Sequence, residues 1–331
     1  MKFQQLKEIL GQFKDKNILV VGDVGIDRYI HGTTSRLSAE APVPIFIEES
    51  REDRPGLAAN VTANLVALGA KVRTVGVVGI ENSQYLRKIL GTDLILDTTR
   101  PTTIKERYCV GTHHLLRVDT ESTRPIEWGN TECLVLNQLE SLCKANSFNA
   151  IIMQDYQKGV LTPHVAELIH HLAKTNSTPI FVDPNLKANP DLYLGATVIT
   201  PNQQEAEVMA DVGKIGKNLE NLDLVAQKII ERTKCEYVVI TLGAKGMAIY
   251  REDWPSAITI PSKAKAVFDV CGAGDTVIAA LTLAFCSHDQ SGALTSMEEA
   301  THVANLAAAI KVSKFGTSVV TTGEILASLS D

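Results

Sequence analysis

The sequence contains the run Phe268-Asp269-Val270-Cys271-Gly272-Ala273-Gly274-Asp275-Thr276, which decides how the rest of the chain is interpreted. It stands directly before residues 277–285, an almost wholly apolar stretch whose alanine content favours a buried helix. Two glycines before a helix leave backbone N–H groups without partners at the positive end of the helix dipole. The run therefore predicts a site for an anion, such as a phosphate oxygen, at the start of this helix.

Asp275 falls in the first turn of that predicted helix, and its position alone allows two interpretations. A carboxylate there can simply complement the helix dipole, which stabilises a helix by about 0.3–1 kcal/mol. It can also act as a base beside an anion hole, an arrangement that phosphoryl transfer to a hydroxyl requires. The run is not a Walker A loop, and no G-x-G-x-x-G fingerprint opens a helix after the first predicted strand. P-loop and standard dinucleotide-binding folds are therefore disfavoured.

Helical and strand patterns alternate along most of the chain, which predicts an α/β fold. Helices are expected at residues 3–14, 58–68, 131–145, 163–174 and 219–232. Short apolar strands are expected at residues 17–22, 71–78, 150–153, 179–182, 197–200 and 237–240. This order indicates βαβ units and a mostly parallel sheet with helices on both faces, which makes a three-layer α/β/α core. Ligands of such sheets bind outside the carboxyl ends of the strands.

Two segments with β-branched residues and alternating polarity do not fit that order. Residues 43–49 and 102–118 are interpreted as exposed antiparallel strands of a small sheet that stands off the main body. We place the strands of this lid around residues 31–50 and 97–122. No internal repeat or linker interrupts the chain, so residues 1–331 are expected to form a single domain with this β appendage.

Composition and charge exclude several classes of protein. The 331 residues carry a formal net charge of -6, without the basic excess typical of a nucleic-acid binder. No stretch approaches the ~20 apolar residues of a membrane span, and the N-terminus lacks the apolar core of a signal peptide. The six cysteines form no C-x-x-C pair or zinc-like cluster, as expected of reduced thiols in a cytoplasmic protein. We therefore expect no nucleic-acid or membrane partner.

The run at 268–276 closely resembles the C-terminal signature of the ribokinase-like family of carbohydrate and purine kinases. The resemblance implies that Asp275 is the catalytic base and that the amides of Gly272, Ala273 and Gly274 form the anion hole. It also implies ATP and Mg²⁺ as cofactors, and a monovalent cation such as K⁺ near the turn at Asp269. The similarity extends over essentially the whole chain.

Other motifs follow the order of that family and imply a nucleotide site. Residues 202–205 (Asn-Gln-Gln-Glu) resemble the N-x-x-E element, which acts near the Mg²⁺ and the nucleotide phosphates, with Glu205 reaching the metal through water. Residues 241–246 resemble the T-x-G-x-x-G turn that contacts the nucleotide. The implied nucleotide-binding residues are Asn202, Glu205, Thr241, Gly243, Gly246 and Asn305, the last of which stands where the family lines its adenine pocket. Each motif also has a structural interpretation, a helix N-cap for the first and a strand-to-turn connection for the second.

The N-terminal third is similar to the D-glycero-D-manno-heptose 7-phosphate kinases, more closely than to ribokinases or fructokinases. The similarity lies in residues 22–45, in the glycine motif at 54–61 and in residues 154–161, which match a D-Y-x-K-G element. Those enzymes phosphorylate the anomeric hydroxyl of heptose 7-phosphate. The product is the 1,7-bisphosphate, which leads to nucleotide-activated heptose for lipopolysaccharide and other surface polysaccharides.

A sugar that already carries a phosphate needs cationic side chains remote from the reacting hydroxyl. The candidates are Arg36, Lys105, Arg107, Arg117, Lys158 and Lys187, and each of them can instead be a solvated surface charge. Lys158 and Lys187 stand closest to strand ends, whereas Arg107 and Arg117 lie on the predicted lid strands. The resemblance further implies that Asp27 and Asn60 hydrogen-bond sugar hydroxyls beside Gly56 of the glycine motif, although Asp27 can also be a turn residue.

The sequence departs from the family pattern at three positions, and one of them is Cys271, where serine or threonine is usual. Leu57 replaces the second glycine of the usual pair. In the family, the glycine pair allows the backbone to approach the sugar. Asn185 stands where lysine is common, and we expect Lys187 to substitute for it. Many heptose kinases are fused to a C-terminal nucleotidyltransferase, whose H-x-G-H motif is absent from this sequence. The chain is therefore expected to be a kinase domain alone, either independent or part of a fusion.

Two other functions remain open at this point. Leu57 leaves room for a kinase of another sugar, such as fructose, ribose or a phosphorylated hexose. A catalytically silent ligand-binding protein on the same fold is the alternative of a different class. The exposed lid strands present unpaired edges, so we also expect a homodimer joined through the lid.

Overall fold

The computed structural model describes residues 3–91, 93–187, 189–288 and 292–328. The helices are α1 (Phe3–Gly11), α2 (Ala58–Ala67), α3 (Ser83–Leu90), α4 (Thr131–Ala145), α5 (Pro163–Asn176), α6 (Gln203–Ala210), α7 (Leu222–Thr233), α8 (Ala273–Phe285), α9 (Met297–Lys311) and α10 (Thr322–Ala327). The strands are β1 (Asn17–Gly22), β2 (Val24–Leu37), β3 (Pro44–Leu57), β4 (Lys71–Val75), β5 (Val77–Val78), β6 (Ile95–Leu96), β7 (Thr103–Val110), β8 (His113–Thr120), β9 (Ala150–Gln154), β10 (Ile180–Asp183), β11 (Val198–Ile199), β12 (Tyr237–Thr241), β13 (Met247–Tyr250) and β14 (Ile258–Ile260).

Eight strands of the described residues form the central sheet, in the order β14-β13-β12-β11-β10-β9-β1-β4. The strands from β4 to β12 run parallel. At the other edge, β13 and β14 continue the sheet in antiparallel pairing. The predicted α/β fold with a mostly parallel sheet is confirmed.

Both faces of the central sheet are buried under helices, and β1 shows this most simply. Successive residues of a strand point to opposite faces. Ile18 and Val20 pack into one apolar core with residues of α1, α2, α8 and α9. Leu19 and Val21 pack into a second core with residues of α4, α5 and α7. Burial of both faces explains why this strand is a continuous apolar run in the sequence.

A second sheet, the lid sheet, has the strand order β3-β2-β7-β8. Its strand β2 leaves the central sheet directly, because Asp23 alone separates β2 from β1. The pairs β2–β3 and β7–β8 are antiparallel, but β2 and β7 run parallel. The prediction of purely antiparallel lid strands is therefore wrong at the centre of the sheet. The chain passes through α2, β4 and α3 between β3 and β7, and this crossover brings β7 back in the direction of β2.

Three local predictions also differ from the structure. No strand is predicted for the first part of β2, because polar residues and glycines interrupt the apolar pattern of residues 24–37. The helix expected over residues 3–14 ends at Gly11 and is followed by a short 3-10 segment, Phe13–Asp15. The strand expected over residues 71–78 ends at Val75, and β5 instead pairs with β6 in a separate sheet.

None of the described helices is both long and apolar enough to cross a lipid bilayer. The six cysteine side chains are all free, and three of them, Cys109, Cys235 and Cys286, are buried.

Asp23, between β1 and β2, organises the loop that follows β9. Its buried carboxylate accepts hydrogen bonds from the backbone N–H groups of Tyr156 (2.9 Å), Lys158 (2.9 Å) and Val160 (3.1 Å). Burial raises the pKa of Asp23 to about 6, although these three hydrogen bonds favour the ionised form. The loop after β9 is thus fixed relative to the start of the lid sheet.

Replacing Asp23 with alanine should lower the free energy of unfolding by about 3 kcal/mol or more, because each buried N–H left without an acceptor costs about 1–3 kcal/mol. Urea unfolding with an unchanged m value measures the change. Glu49→Ala, on an exposed part of β3, is the control and should alter the free energy by no more than about 0.5 kcal/mol. Equal stability of the two variants would show that water replaces the Asp23 carboxylate.

Candidate active site

The carboxyl ends of β9 and β10 meet the start of α8. Gln154 is the last residue of β9, Asp183 is the last residue of β10, and Asp275 lies in the first turn of α8. The Gln154 side-chain amide donates to Asp183 (2.5 Å) and to Asp275 (3.4 Å). One side chain therefore links two strand ends to the helix, at the edge of the sheet where ligands of α/β folds bind.

Asp275 is 4% exposed and is held by two strong hydrogen-bond donors. One carboxylate oxygen accepts from Asn60 Nδ2 at 2.6 Å, and the other accepts from the Tyr156 hydroxyl at 2.9 Å. Burial raises the pKa of Asp275 to about 6, while the bonds from Asn60 and Tyr156 lower it. The group is thus ionised at neutral pH yet is a stronger base than a solvated aspartate, which suits it to accept a proton from a hydroxyl.

The turn before α8 presents backbone amides to the same space. Gly272 is the N-cap of α8 with φ 76°, and a Cβ there would lie 2.7 Å from Asn60 Nδ2, so glycine is required. The amides of Gly272, Gly274 and Asp275 donate to no group in the described part of the chain. The Ala273 amide differs from the expectation, because it donates to Val270 O at 3.1 Å and closes the turn. The free amides still make a site for an anion at the helix N-terminus.

Asp183 and Glu205 extend the acidic group that begins with Asp275. Burial raises the pKa of Asp183 well above its ordinary value, and the charges of Glu205 and Asp275 raise it further. Burial also raises the pKa of Glu205. A divalent cation would relieve this repulsion, and Mg²⁺ prefers oxygen ligands of this kind. Across the described ranges, no group of three or more acidic, His or Cys side chains is arranged to hold a metal directly. The oxygen atoms of Asp183 and Glu205 are of the kind that Mg²⁺ accepts beside water and phosphate oxygens.

Asn202 and Glu205 form a capping box at the start of α6. The Asn202 side chain accepts from the Glu205 backbone N–H at 3.0 Å, and the Glu205 carboxylate accepts from the Asn202 backbone N–H at 2.8 Å. The structural interpretation of the N-x-x-E motif is therefore observed. It does not remove Glu205 from the site, because the same cap holds its carboxylate close enough to Asp183 to raise the pKa of that group.

A cleft of about 370 Å³ opens beside the turn before α8. Four residues that the sequence singled out line it together: Thr241, Gly243, Gly246 and Asn305. Ala273 and Gly274 form part of the same wall, and most of the remaining lining is apolar. The Asn305 amide donates to Pro261 O at 2.7 Å, which fixes its orientation. An apolar cleft of this size with a few oriented polar groups suits a small planar ligand.

Asp27 and Arg107 form a buried ion pair inside the lid sheet. Asp27 lies on β2, so it is not the turn residue that the sequence also allowed, and its carboxylate accepts from Arg107 Nη1 at 2.5 Å. Arg107 Nη2 lies 3.7 Å from Cys271 Sγ. Arg107 is thus held between the lid and the turn before α8, rather than presented to solvent as one of the expected phosphate-binding cations.

A second cavity, of about 690 Å³, adjoins the other side of the site. Tyr156, Lys158 and Lys187 all line it, and Tyr156 reaches from there to Asp275. Lys158 pairs with Glu121 at 2.7 Å, and Lys187 is exposed. The structure therefore brings together the two lysines that stand closest to the predicted strand ends. Arg117 is not part of this wall, because it is exposed on β8 and pairs with Asp119 at 2.9 Å.

Three residues that surround Asp275 were not among the predicted site residues. Gln154 and Tyr156 donate hydrogen bonds to Asp275, and the charge of Asp275 raises the pKa of Asp183. All three follow predicted strands, and polar residues at the carboxyl ends of parallel strands are a signal that could have identified them. Lys105, predicted only as a candidate cation for the sugar phosphate, lies over the Tyr156 ring at 5.1 Å and lowers the pKa of Asp275. The pairing of β7 with β2 brings it there.

Leu57 ends β3 in a conformation that leucine rarely adopts. Its backbone has φ 57° and ψ -135°, and such a residue costs of order 1–3 kcal/mol. The preceding Gly56 lies so close to Asp27 that a Cβ would be 3.0 Å from the Asp27 backbone nitrogen. The side chain of Leu57 packs over Gly25 and is 5% exposed. The position therefore retains the backbone of a glycine pair although the second glycine is replaced.

Solved structures with the same fold include ribokinase from Thermotoga maritima and phosphofructokinase-2 from Escherichia coli. The first matches with a TM-score of 0.69 at 20% sequence identity, over 96% of this chain and all of the other. The second matches with a TM-score of 0.74 at 16% identity, over 96% of this chain and all of the other. At these identities the likeness shows the ribokinase-like fold alone.

Sequence comparison reaches closer relatives. The bifunctional protein HldE of Azorhizobium caulinodans is 36% identical over 323 residues, which are 94% of this chain and 64% of that protein. The chain therefore spans a little under two thirds of the length of this relative. The sequence pattern described as "pfkB family carbohydrate kinase" matches residues 15–322. Together with the arrangement around Asp275, this match shows that the chain belongs to the pfkB family of carbohydrate kinases.

Proposed function

We propose that this chain transfers a phosphoryl group from ATP to the anomeric hydroxyl of D-glycero-D-manno-heptose 7-phosphate, giving the 1,7-bisphosphate. The observation that carries the proposal is the position of Asp275. A buried carboxylate with a raised pKa lies beside free backbone amides, between a mostly apolar cleft and a cavity that contains two lysines. A kinase of a phosphorylated sugar needs each of these parts.

Asp275 is the base in this proposal, and the chain's own groups prepare the reaction around it. The sugar hydroxyl approaches the carboxylate, which takes its proton as the new O–P bond forms. The amides of Gly272, Gly274 and Asp275 hold the oxygens of the transferring group, whose negative charge they stabilise. Gln154 Oε1 is buried without a hydrogen-bond partner in the described residues, and a sugar hydroxyl would satisfy it.

Asn202, Glu205 and Asp183 are the residues that would act near Mg²⁺. When bound, Mg²⁺ neutralises the charge of the nucleotide phosphates. Glu205 is kept in place for this by its capping box, and Asp183 is oriented by Gln154. We place the nucleotide base in the cleft lined by Thr241, Gly243, Gly246 and Asn305.

The remote phosphate of the sugar is assigned to the larger cavity, where Lys158 and Lys187 meet. Lys158 already forms an ion pair with Glu121. Lys187 is exposed at the edge of the cavity and is free to pair with a phosphate. Lysine binds phosphate as a point charge. The relative described above is named HldE, and the motifs of residues 22–45 and 154–161 resemble heptose 7-phosphate kinases. The strained Leu57, which follows Gly56 beside Asp27, supports a second candidate, a kinase whose sugar differs from heptose.

Replacing Asp275 with asparagine should lower kcat by about 10²–10⁴-fold without loss of fold, because a general base contributes that much. In the unchanged enzyme, Asp275 must be ionised to act. Since its pKa is raised to about 6, kcat/KM should fall about tenfold per pH unit below pH 6 and level off above it. Steady-state ADP release between pH 5 and 9 measures both effects.

Tyr156→Phe is the matched variant for this pH dependence. The Tyr156 hydroxyl lowers the pKa of Asp275, so its removal should move the descending acid limb to higher pH while activity at pH 9 is largely retained. A kcat/KM that stays level down to pH 5, as an aspartate with its ordinary pKa would give, would contradict the assignment of the base. Full turnover by Asp275→Asn would also contradict it.

The substrate is tested by ADP release with Mg-ATP and D-glycero-D-manno-heptose 7-phosphate, ribose, fructose or fructose 6-phosphate. We expect selective turnover of the heptose phosphate. Lys187→Met should raise the KM for that sugar about 10–100-fold with little change in kcat, because a charge-assisted hydrogen bond is worth about 1.5–3 kcal/mol. Lys71→Met is the control, since Lys71 is exposed at the opposite end of the central sheet.

Each remaining outcome of that panel has a distinct meaning. Preferred turnover of ribose, fructose or fructose 6-phosphate would retain the Asp275 chemistry and reject heptose 7-phosphate as the substrate. An absence of turnover with every sugar would reject the kinase proposal and favour a silent ligand-binding protein.

We further propose a cytoplasmic homodimer joined through the lid sheet. Strand β8 is an edge strand with every residue exposed, and Leu115, Leu116 and Val118 present 49%, 57% and 39% of their surface. An exposed apolar edge of this kind favours pairing with another strand. The six free thiols agree with a reducing compartment.

Light scattering at micromolar concentration should give twice the chain mass of 35.9 kDa. The double variant Leu116→Glu with Val118→Glu should give the single mass, because two charges on one face of β8 oppose its burial. Leu224→Glu, exposed on α7, is the control and should leave the mass unchanged. A single mass for the unchanged chain would rule out this dimer.

A further inference from the structure

Lys311 is a fully buried cation at the end of α9. Its side chain is 0% exposed, and its ammonium group donates to the backbone oxygen of Asp269 at 3.0 Å. Lysine is almost never fully buried unless its charge is paired. The side chain lies outside the nucleotide cleft and the larger cavity, so neither of them accounts for it.

Burial of this ammonium is unfavourable by itself, and the surrounding groups show what offsets the cost. Burial lowers the pKa of Lys311, whereas the charges of Asp269, Cys271 and Asp275 raise it and that of Arg54 lowers it. The groups that favour the charged form therefore belong to the run 269–275. A positive charge at this place stabilises the turn that precedes the base.

Asp269 is the residue through which that turn is fixed. Its carboxylate accepts from the backbone N–H of Cys271 at 2.9 Å and from that of Gly316 at 2.8 Å. Its own N–H donates to Val312 O at 3.0 Å, and its carbonyl accepts from Lys311. Both polar ends of the residue are thus tied to the segment from the last turn of α9 to Gly316. Gly272 follows three residues later, and the other free amides of the anion hole, those of Gly274 and Asp275, follow within six residues.

We propose that Lys311 is a built-in cation that holds the turn at Asp269, and with it the anion hole, in place of a monovalent metal ion. The resemblance to ribokinase-like kinases implies K⁺ near this turn, and the structure does not fit that expectation. The Asp269 carbonyl, which would be a ligand for such an ion, already accepts from the ammonium. A second positive charge at the same oxygen would be repelled. Lys311 is a positioning residue, because it acts on the reacting groups through Asp269.

The inference rests on the proposed kinase activity, and it has a consequence that packing alone does not produce. If the ammonium group replaces a metal ion, a smaller side chain at position 311 should leave a cation-binding site that ions from the solution can enter. The anion hole needs its amides placed within a fraction of an ångström, and a misplacement of about 1 Å costs up to about a hundredfold in rate. Loss of the charge should therefore lower kcat and leave the KM for the sugar nearly unchanged.

The experiment compares the unchanged chain with Lys311→Ala, which creates space, and Lys311→Met, which keeps the shape without the charge. Each is assayed for ADP release, and for its unfolding temperature by calorimetry, in chloride salts of tetramethylammonium, Na⁺, K⁺, ammonium and methylammonium. Tetramethylammonium is too large for the site and serves as the reference ion. The unchanged enzyme should show the same kcat and unfolding temperature in all five salts.

In tetramethylammonium, Lys311→Ala should lose about tenfold to a hundredfold in kcat. Ammonium, methylammonium or K⁺ should restore a large part of that loss and raise the unfolding temperature of this variant. Lys311→Met should lose a similar amount in kcat and recover none of it, because its side chain fills the space. The rescue of one variant and not the other separates a cation from a packing role.

Three outcomes would overturn the inference. Activation of the unchanged enzyme severalfold by K⁺ would show that an ion is still needed. Full activity of both variants in tetramethylammonium would show that the charge is not needed. Loss of kcat in both variants without rescue would show that Lys311 acts by packing. If the unchanged enzyme turns over no sugar, the kinase proposal fails separately, and the ion dependence of the unfolding temperature of Lys311→Ala still tests the cation.

Discussion

The burial of one carboxylate, that of Asp275, is the constraint on which the rest of the structure depends. A buried charge is tolerated only where donors surround it, and here the donors come from separate parts of the chain. Asn60 belongs to α2, Tyr156 to the loop fixed by Asp23, and Gln154 to the end of β9. The central sheet brings these segments together, so the fold and the basicity of Asp275 have the same cause.

The turn before α8 separates two environments with different chemistry. On one side, the cleft lined by Thr241 and Asn305 is mostly apolar and suits a base that stacks and excludes water. On the other, acidic groups, Tyr156 and two lysines make a polar cavity with little net charge at its wall. The N-terminal end of the α8 dipole and the free amides lie between these two environments. A negatively charged group passing from one ligand to the other would be stabilised there.

Local patterns predicted the parts of the molecule that depend on neighbouring residues. The glycine run, the T-x-G-x-x-G turn and the strands of the central sheet are local, and the structure places the four predicted residues of the cleft together. The pair of Asp27 and Arg107 joins residues 80 positions apart through a parallel register that no local pattern reveals. Lys311 was also not predicted from the sequence. An isolated lysine in a helix is normally exposed, so its sequence position gives no sign of burial.

Strand β2 has a mechanical consequence that follows from its length and its origin. Asp23 is the single residue between the end of β1 and the start of β2. A rotation of the lid sheet relative to the central sheet would therefore take place at Asp23. A strand of 14 residues extends roughly 40 Å, and a rotation of about 10° at Asp23 would move its far end by about 7 Å. Because Asp23 also holds the loop that carries Tyr156, a rotation at Asp23 would also act on the hydrogen bond from Tyr156 to Asp275.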